Sequence, residues 1–437
     1  MNRSLTFFCC ALFTAQPAFA EDLIDIVRAA RNYDAQFAAA RQTEAAARER
    51  PTQGFAGLLP TVNATANTTR NDADNKTTDQ SFTFNSNAYT FTLSQPLFRP
   101  QNFVAYRQSE LTALQADMAL RQSENELVIR AAQAYFDVLA SRDSLAFIVA
   151  QKVAISEQLA QAKRNFEVGT ATITDTNEAQ ARYDLATAQE IAAENDLEIR
   201  RRALAQVAGE RYEKLVPLKT GIQIPGADPT DMNAWVAAAE KNSYSVRAQE
   251  FAVEIANRDI DRNKYAHYPT LDVVATYGRS VGGNAATTGI RTDIQSNSVG
   301  LQLAVPLFAG GATQSRVRES VSLHEKARAD LDHTRRTAEF TTRQSFLGLT
   351  NGLAQVRALE QALKSSESAL ASNRLGYDVG VRINIDVLNS QQQVFQTKRD
   401  LAKARYDAIL NGLRLKAAAG GLAEADLVAV NALLGNE

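Results

Sequence analysis

Cysteine is almost missing from this chain. Its two copies, Cys9 and Cys10, both lie within the first ten residues. A disulfide scaffold is excluded, and so is a thiol-dependent enzyme once the N-terminus is removed. Histidine is confined to His267, His324 and His333, too scattered for a metal centre, with no H-E-x-x-H and no cysteine cluster. There is no P-loop and no G-x-G-x-x-G to cradle a phosphate, so no cofactor is expected. Asp72 and Asp74 begin like a calcium loop, but Lys76 occupies the next ligand position. Neither sign of charge dominates: 47 Lys and Arg stand against 49 Asp and Glu. Without a basic surplus, nothing draws the chain to nucleic acid. Enzymatic function has little to stand on.

Long apolar runs are also missing. The one short run, Leu5 to Phe13, follows Arg3 and precedes Ala18-Phe19-Ala20. That is the pattern of a secretory signal over residues 1–20, with the mature chain starting at Glu21 and carrying no cysteine. Beyond it no stretch approaches 18 consecutive apolar residues, so no transmembrane helix is expected. An exported chain of this kind is periplasmic, secreted, or set in the outer membrane as β-strands, whose alternating pattern is weak and has to be sought.

Proline is scarce and unevenly placed. None occurs from Gln101 to Val216, and none after Pro306. Self-comparison explains the spacing. Leu59-Pro60-Thr61 recurs as Tyr268-Pro269-Thr270, and Pro96-Leu97-Phe98 as Pro306-Leu307-Phe308. Phe166-Glu167-Val168-Gly169 returns as Tyr377-Asp378-Val379-Gly380, and Ala208-Gly209 as Ala419-Gly420. The ordered series marks a tandem duplication. We read residues 21–215 as the first repeat, 216–230 as a linker and 231–437 as the second.

Each repeat has the same internal order. A helical segment comes first, Leu23 to about Arg50 and Trp235 to about Tyr265. Two alternating segments follow, near Leu59–Arg70 and Phe82–Gln95 in the first copy. Tyr89, Phe91 and Leu93 point to one face there, and Thr90, Thr92 and Ser94 to the other. In the second copy Leu271, Val273, Ala275 and Tyr277 alternate, as do Val299, Leu301, Leu303 and Val305. The connections Asn71–Lys76 and Ser280–Asn297 read as exposed loops, and each Pro-Leu-Phe as a strand end. Then come long runs of helix formers. Gln101 to Val168 holds neither Gly nor Pro and has small or apolar residues at a seven-residue spacing. Ala312 to Leu375 matches it, although Gly348 and Gly352 are expected to loosen its middle. Each run ends at Val-Gly, turns, and returns as a second helix. The fold class is mixed α and β, with two long helical hairpins.

Four strands cannot close a membrane barrel, for which about eight are needed, and an open sheet in lipid leaves its edge groups unpaired. If the strands enter a membrane, several copies of the chain must share one barrel. The long helices then extend from one end of it into water, and the product is a conduit.

The duplicated helix–hairpin–helix order resembles the TolC family of outer-membrane export ducts over essentially the whole mature chain. Gly376-Tyr377-Asp378-Val379-Gly380-Val381-Arg382, continuing through Ile385-Asp386-Val387-Leu388-Asn389, resembles that family's second periplasmic turn. Its first-repeat twin is Asn165–Gly169 followed by Ile173-Thr174-Asp175. The resemblance implies a homotrimer with a shared twelve-stranded β-barrel in outer-membrane lipid, a periplasmic α-helical barrel and an equatorial region near the C-terminus. It implies as partners a periplasmic adaptor and an inner-membrane ABC, RND or MFS transporter. It also implies a gate latch among Thr174, Asp175, Tyr377 and Arg382, and a lumen constriction at Asp386 and Asn389. At Asn389 a second acidic residue would be expected, so a ring of three carboxylates would replace six. For Asp175, Arg382 and Asp386 the alternative is helix capping and surface charge. A passive porin or a structural periplasmic coiled-coil protein are the rival classes.

Overall fold

The computed structural model describes residues 21–77, 79–283 and 291–435; the signal segment lies outside them. Helices α1 (Leu23–Tyr33), α2 (Ala35–Arg48) and α3 (Arg50–Ala56) precede β1 (Thr61–Asn75) and β2 (Gln80–Phe98). Then follow α4 (Pro100–Glu167) and α5 (Ile173–Ala208). The order repeats with α6 (Met232–Asn242), α7 (Tyr244–Lys264), β3 (Thr270–Gly283), β4 (Arg291–Ala304), α8 (Ala312–Asp378) and α9 (Asn384–Ala418), and α10 (Glu424–Asn431) closes the chain. No described helix is long and apolar enough to cross a membrane.

Where one leading helix was expected in each repeat, there are two or more. The first breaks at Asp34, whose carboxylate caps α2 by accepting from the Phe37 backbone N–H at 2.7 Å and also takes a hydrogen bond from Arg130 at 2.9 Å. In α8 the opposite correction applies: the helix runs unbroken through Gly348 and Gly352. A Cβ on Gly348 would sit 3.0 Å from the Asn411 side chain, and one on Gly352 3.5 Å from Ala408. The glycines let α8 lie close against α9, and the packing offsets their low helix propensity.

Contacts gather the chain into two compact units, each drawing on both repeats. One is formed by the described residues within 1–38, 124–235 and 342–437, the other by 39–123 and 236–341. The first is helical. Tyr135 and Phe136 on α4 are fully buried there and meet edge to face, and Phe136 packs on Tyr406 of α9. The Tyr135 hydroxyl donates to the Val216 carbonyl at 2.7 Å, which satisfies its only polar atom.

The second unit holds a four-stranded antiparallel sheet in the order β1-β2-β3-β4. Its strands run further than the alternation suggested. The segments 71–75, 280–283 and 291–297, expected as loops, are strand. Polar side chains continue the ladder: Thr83 donates to Asp72 and Ser81 to Asp74, each at 2.6 Å, and Arg279 holds Asp293 through two hydrogen bonds. Pro306 lies beyond β4 as expected. Pro96 instead lies inside β2, at a register shift between Pro96 and Phe98 where its missing N–H is tolerated. Next to it Arg99 grips the buried Asp272 carboxylate of β3 at 2.8 and 2.5 Å.

Register assigns the two faces. Val62, Leu93, Ala275 and Val299 form one row, and Phe91 with Tyr277 the next. Val62, Leu93, Phe91, Tyr277 and Val299 are open to solvent in the single chain, Val299 to 81%, as is Leu301 further along the same face at 69%. The other face carries Asn63, Thr92, Thr276 and Ser298 in a row. All four connections to helices leave from one end of the sheet, and the β1–β2 turn lies at the other.

Candidate functional site

The helical hairpin tips in the first unit hold every residue singled out for gating. Each tip turns on a left-handed glycine, Gly169 at φ 78° and Gly380 at φ 80°, positions where a side chain would be strained. After the first turn, Thr172 caps α5 reciprocally with Asp175. The Asp175 carboxylate accepts from the Thr172 backbone N–H at 2.9 Å, and the Asp175 N–H donates to the Thr172 hydroxyl at 3.3 Å. Thr174 is exposed beside it.

The second turn is built differently. The backbone N–H groups of Val381 and Arg382 both donate to the Gly376 carbonyl, at 2.9 and 3.0 Å. Arg382 folds over Gly376, where an added Cβ would lie 2.7 Å from its Cγ, and its guanidinium stands 3.6 Å from the Asp386 carboxylate in the first turn of α9. The Tyr377 hydroxyl accepts from Asn165 Nδ2 at 3.2 Å, a contact between the two hairpin tips. Within the chain, then, Arg382 joins Asp386, and Tyr377 joins Asn165. No hydrogen bond or ion pair joins any two of Thr174, Asp175, Tyr377 and Arg382 among the described residues.

Asn389 is exposed and also occupied. Arg182 of α5 donates to its Oδ1 at 3.0 Å and to Gln392 Oε1 at 2.5 Å. Sequence reasoning passed over Arg182, because a contact 207 positions apart leaves no local pattern. Beneath these polar links Leu388 packs into Ile155, Leu159, Ala162, Ala179 and Ala186 of the first hairpin. Asn384 and Gln391, on the same helix, are fully buried and their side-chain amides have no hydrogen-bond partner among the described residues. Unsatisfied amides of this kind each cost about 1–3 kcal/mol.

The stretch Gly278-Arg279-Ser280-Val281-Gly282 has the spacing of a hydrolase nucleophile elbow. It lies inside β3, with no strand-to-helix turn to present the serine.

Residues 26–210 and 235–421 each match the family model described as outer membrane efflux protein. The chain belongs to the outer membrane efflux protein family. It is 33% identical to outer membrane protein TolC of Vibrio cholerae serotype O1, over 98% of this chain and 97% of that one. It is 34% identical to the alkaline protease secretion protein AprF of Pseudomonas aeruginosa, over 99% of this chain and 92% of the relative. The crystal structure of the outer membrane protein VceC from Vibrio cholerae shares the fold, with a TM-score of 0.78 at 17% identity, covering 91% of this chain and 96% of that one. As a member of the outer membrane efflux protein family, the chain resides in the outer membrane with its helical part in the periplasm. The double match accounts for the duplicated order of elements.

Proposed function

We propose that three copies of this chain form an outer-membrane exit duct. It would pass drugs or secreted polypeptides delivered by an inner-membrane ABC, RND or MFS transporter through a periplasmic adaptor. One observation carries the reading: a sheet of four strands with an apolar exposed face and two unpaired edges, joined to helices of 68 and 67 residues. In lipid those edges have to be covered. Because the strand number is even, β4 of one copy runs antiparallel to β1 of the next, and copies can close a barrel without changing the ladder. The polar face then lines the duct and the apolar face meets lipid. A stand-alone porin does not need helices of this length, and a periplasmic coiled-coil protein does not need the apolar sheet.

The hairpin tips suit a periplasmic gate. Tyr377, Arg382 and Asp175 each make weak contacts at the tips, with Thr174 exposed beside them. An exposed pair such as Arg382–Asp386 is worth about 0.5–1 kcal/mol, and Asn384 and Gln391 store unmet hydrogen bonds on the same helix. Such a tip is closed by a small margin, one that binding energy from an adaptor can reverse. Asp386 and Asn389 are the proposed constriction. For cargo, the relative AprF is named for alkaline protease secretion, which favours polypeptides. Detergent-purified protein should run as a trimer and conduct in planar bilayers. A monomer that stays soluble without detergent and carries no current would overturn the reading.

A further inference from the structure

The β1–β2 hairpin outgrows its neighbours, and along its extension the aromatic side chains change face. β2 pairs with β3 only as far as Asn87, and beyond it β1 and β2 continue as a two-stranded ribbon to Asn75 and Gln80. Within the sheet, the face bearing Tyr89, Phe91 and Leu93 is apolar through Leu93, Ala275 and Val299, and its first charges come at Arg279 beside Tyr89 and at Asp293 beside Val281. Along the ribbon that same face carries Arg70, Asp72 and Asp74 beside Asn85, Thr83 and Ser81. The opposite face, which carries Asn63, Thr92, Thr276 and Ser298 within the sheet and no aromatic side chain, now carries Phe82 and Phe84. The β1–β2 register is continuous from Thr61–Ser94 to Asn75–Gln80 without a bulge, so the exchange is written in the residues and no slip produces it.

Charge on the lipid-side face marks the ribbon as having left the membrane. It does so at the end carrying the β1–β2 turn, opposite the connections to the helices. An aromatic pair at such a place would ordinarily face lipid or sit at the interface, yet Phe82 and Phe84 are on the face continuous with the duct lining. We infer that Phe82 and Phe84 of the assembled copies form an aromatic collar at the outer mouth of the duct. The inference rests on the shared barrel of the proposed function. An apolar ring narrows the path for hydrated ions, because water leaves a hydrophobic constriction readily. It passes amphiphilic or unfolded cargo, whose apolar groups replace that water. The mouth then has a filter of its own, independent of the periplasmic tip.

The mature chain, free of cysteine once residues 1–20 are removed, allows a direct test. Single cysteines at Phe82, Thr83, Phe84 and Asn85 are introduced into the full-length protein, which is reconstituted in planar bilayers. A negatively charged methanethiosulfonate is added from the turn side, with labelling verified by mass. Modification of F82C and F84C should lower single-channel conductance about twofold, and modification of T83C and N85C should leave it unchanged. The double variant F82S/F84S should conduct more than the parent. Labelled F82C and F84C with unaltered current, or a response at 83 and 85 instead, would overturn the collar while the conducting parent upholds the duct. A parent that passes no current overturns both.

Discussion

Arg182 on α5 donates to Asn389 Oδ1 on α9 at 3.0 Å, one helical turn beyond Asp386. Asp386 itself stands 3.6 Å from the Arg382 guanidinium. At the level of the proposed constriction, each carboxylate therefore has one cation beside it and a second held on the next turn of α9, and the negative potential of an Asp386 ring is reduced accordingly. Reversal potentials in a salt gradient measure the balance. Arg182→Ala should shift them toward cation selectivity, and Asp386→Asn toward anions. A potential unmoved by Asp386→Asn removes that residue as the selectivity element, and one unmoved by Arg182→Ala removes the guanidinium.

Tyr377 and Asn165 link the two hairpin tips through one neutral hydrogen bond. Tyr377→Phe deletes it and little else. A bond of this class contributes about 0.5–1.5 kcal/mol, so the open fraction in single-channel records should rise roughly two- to tenfold. Adding Arg382→Ser, which frees Asp386 and uncovers the Gly376 turn, should raise it further. If the double variant dwells closed as long as the parent, these residues do not hold the gate.

Much of the architecture was legible because it is periodic or repeated. The proline-free stretches, the 68-residue helix and the alternation at Tyr89, Phe91 and Leu93 are patterns along the chain, and helices and strands convert such patterns directly into faces. What escaped reading depends on partners far away in sequence. The strand character of Asp72 and Asp74 comes from Thr83 and Ser81 across the ladder. The break at Asp34 depends on its own cap and on Arg130, 96 positions on. At the site, Tyr377, Arg382 and Asp386 were singled out by likeness to a family motif, but the pairing of Arg382 with Asp386 and of Asn389 with Arg182 required coordinates.

Gly348 and Gly352 were expected to weaken α8, and their surroundings predict opposite responses to substitution. Gly352→Ala places its methyl at ordinary contact distance from Ala408 and gains about 1 kcal/mol in helix propensity. It should raise the melting temperature. Gly348→Val drives a branched side chain into Asn411 and should cost about 1–3 kcal/mol. Thermal unfolding of the detergent-solubilised protein, followed by circular dichroism, separates the two. Equal losses from both would mean that the spacing between α8 and α9 tolerates neither.

A carboxyl group is partly buried inside the helical unit. Asp143 of α4 accepts a hydrogen bond from the Tyr406 hydroxyl at 2.6 Å. Burial raises its pKa above the ordinary carboxylate value, and the Tyr406 hydrogen bond and Arg142 offset this in part. A carboxyl with a higher pKa in the folded state than in the unfolded state holds its proton more tightly when folded. Its stabilising contribution is full below the unfolded pKa and is lost as pH rises through the raised folded one. Asp143→Asn keeps an oxygen acceptor for Tyr406 and does not titrate. The variant should therefore melt above the parent at neutral pH, and the gap should close as the solution is acidified through the carboxylate range. A gap that widens on acidification would mean that the charged form is the one the fold prefers, with the Tyr406 hydroxyl and Arg142 outweighing burial.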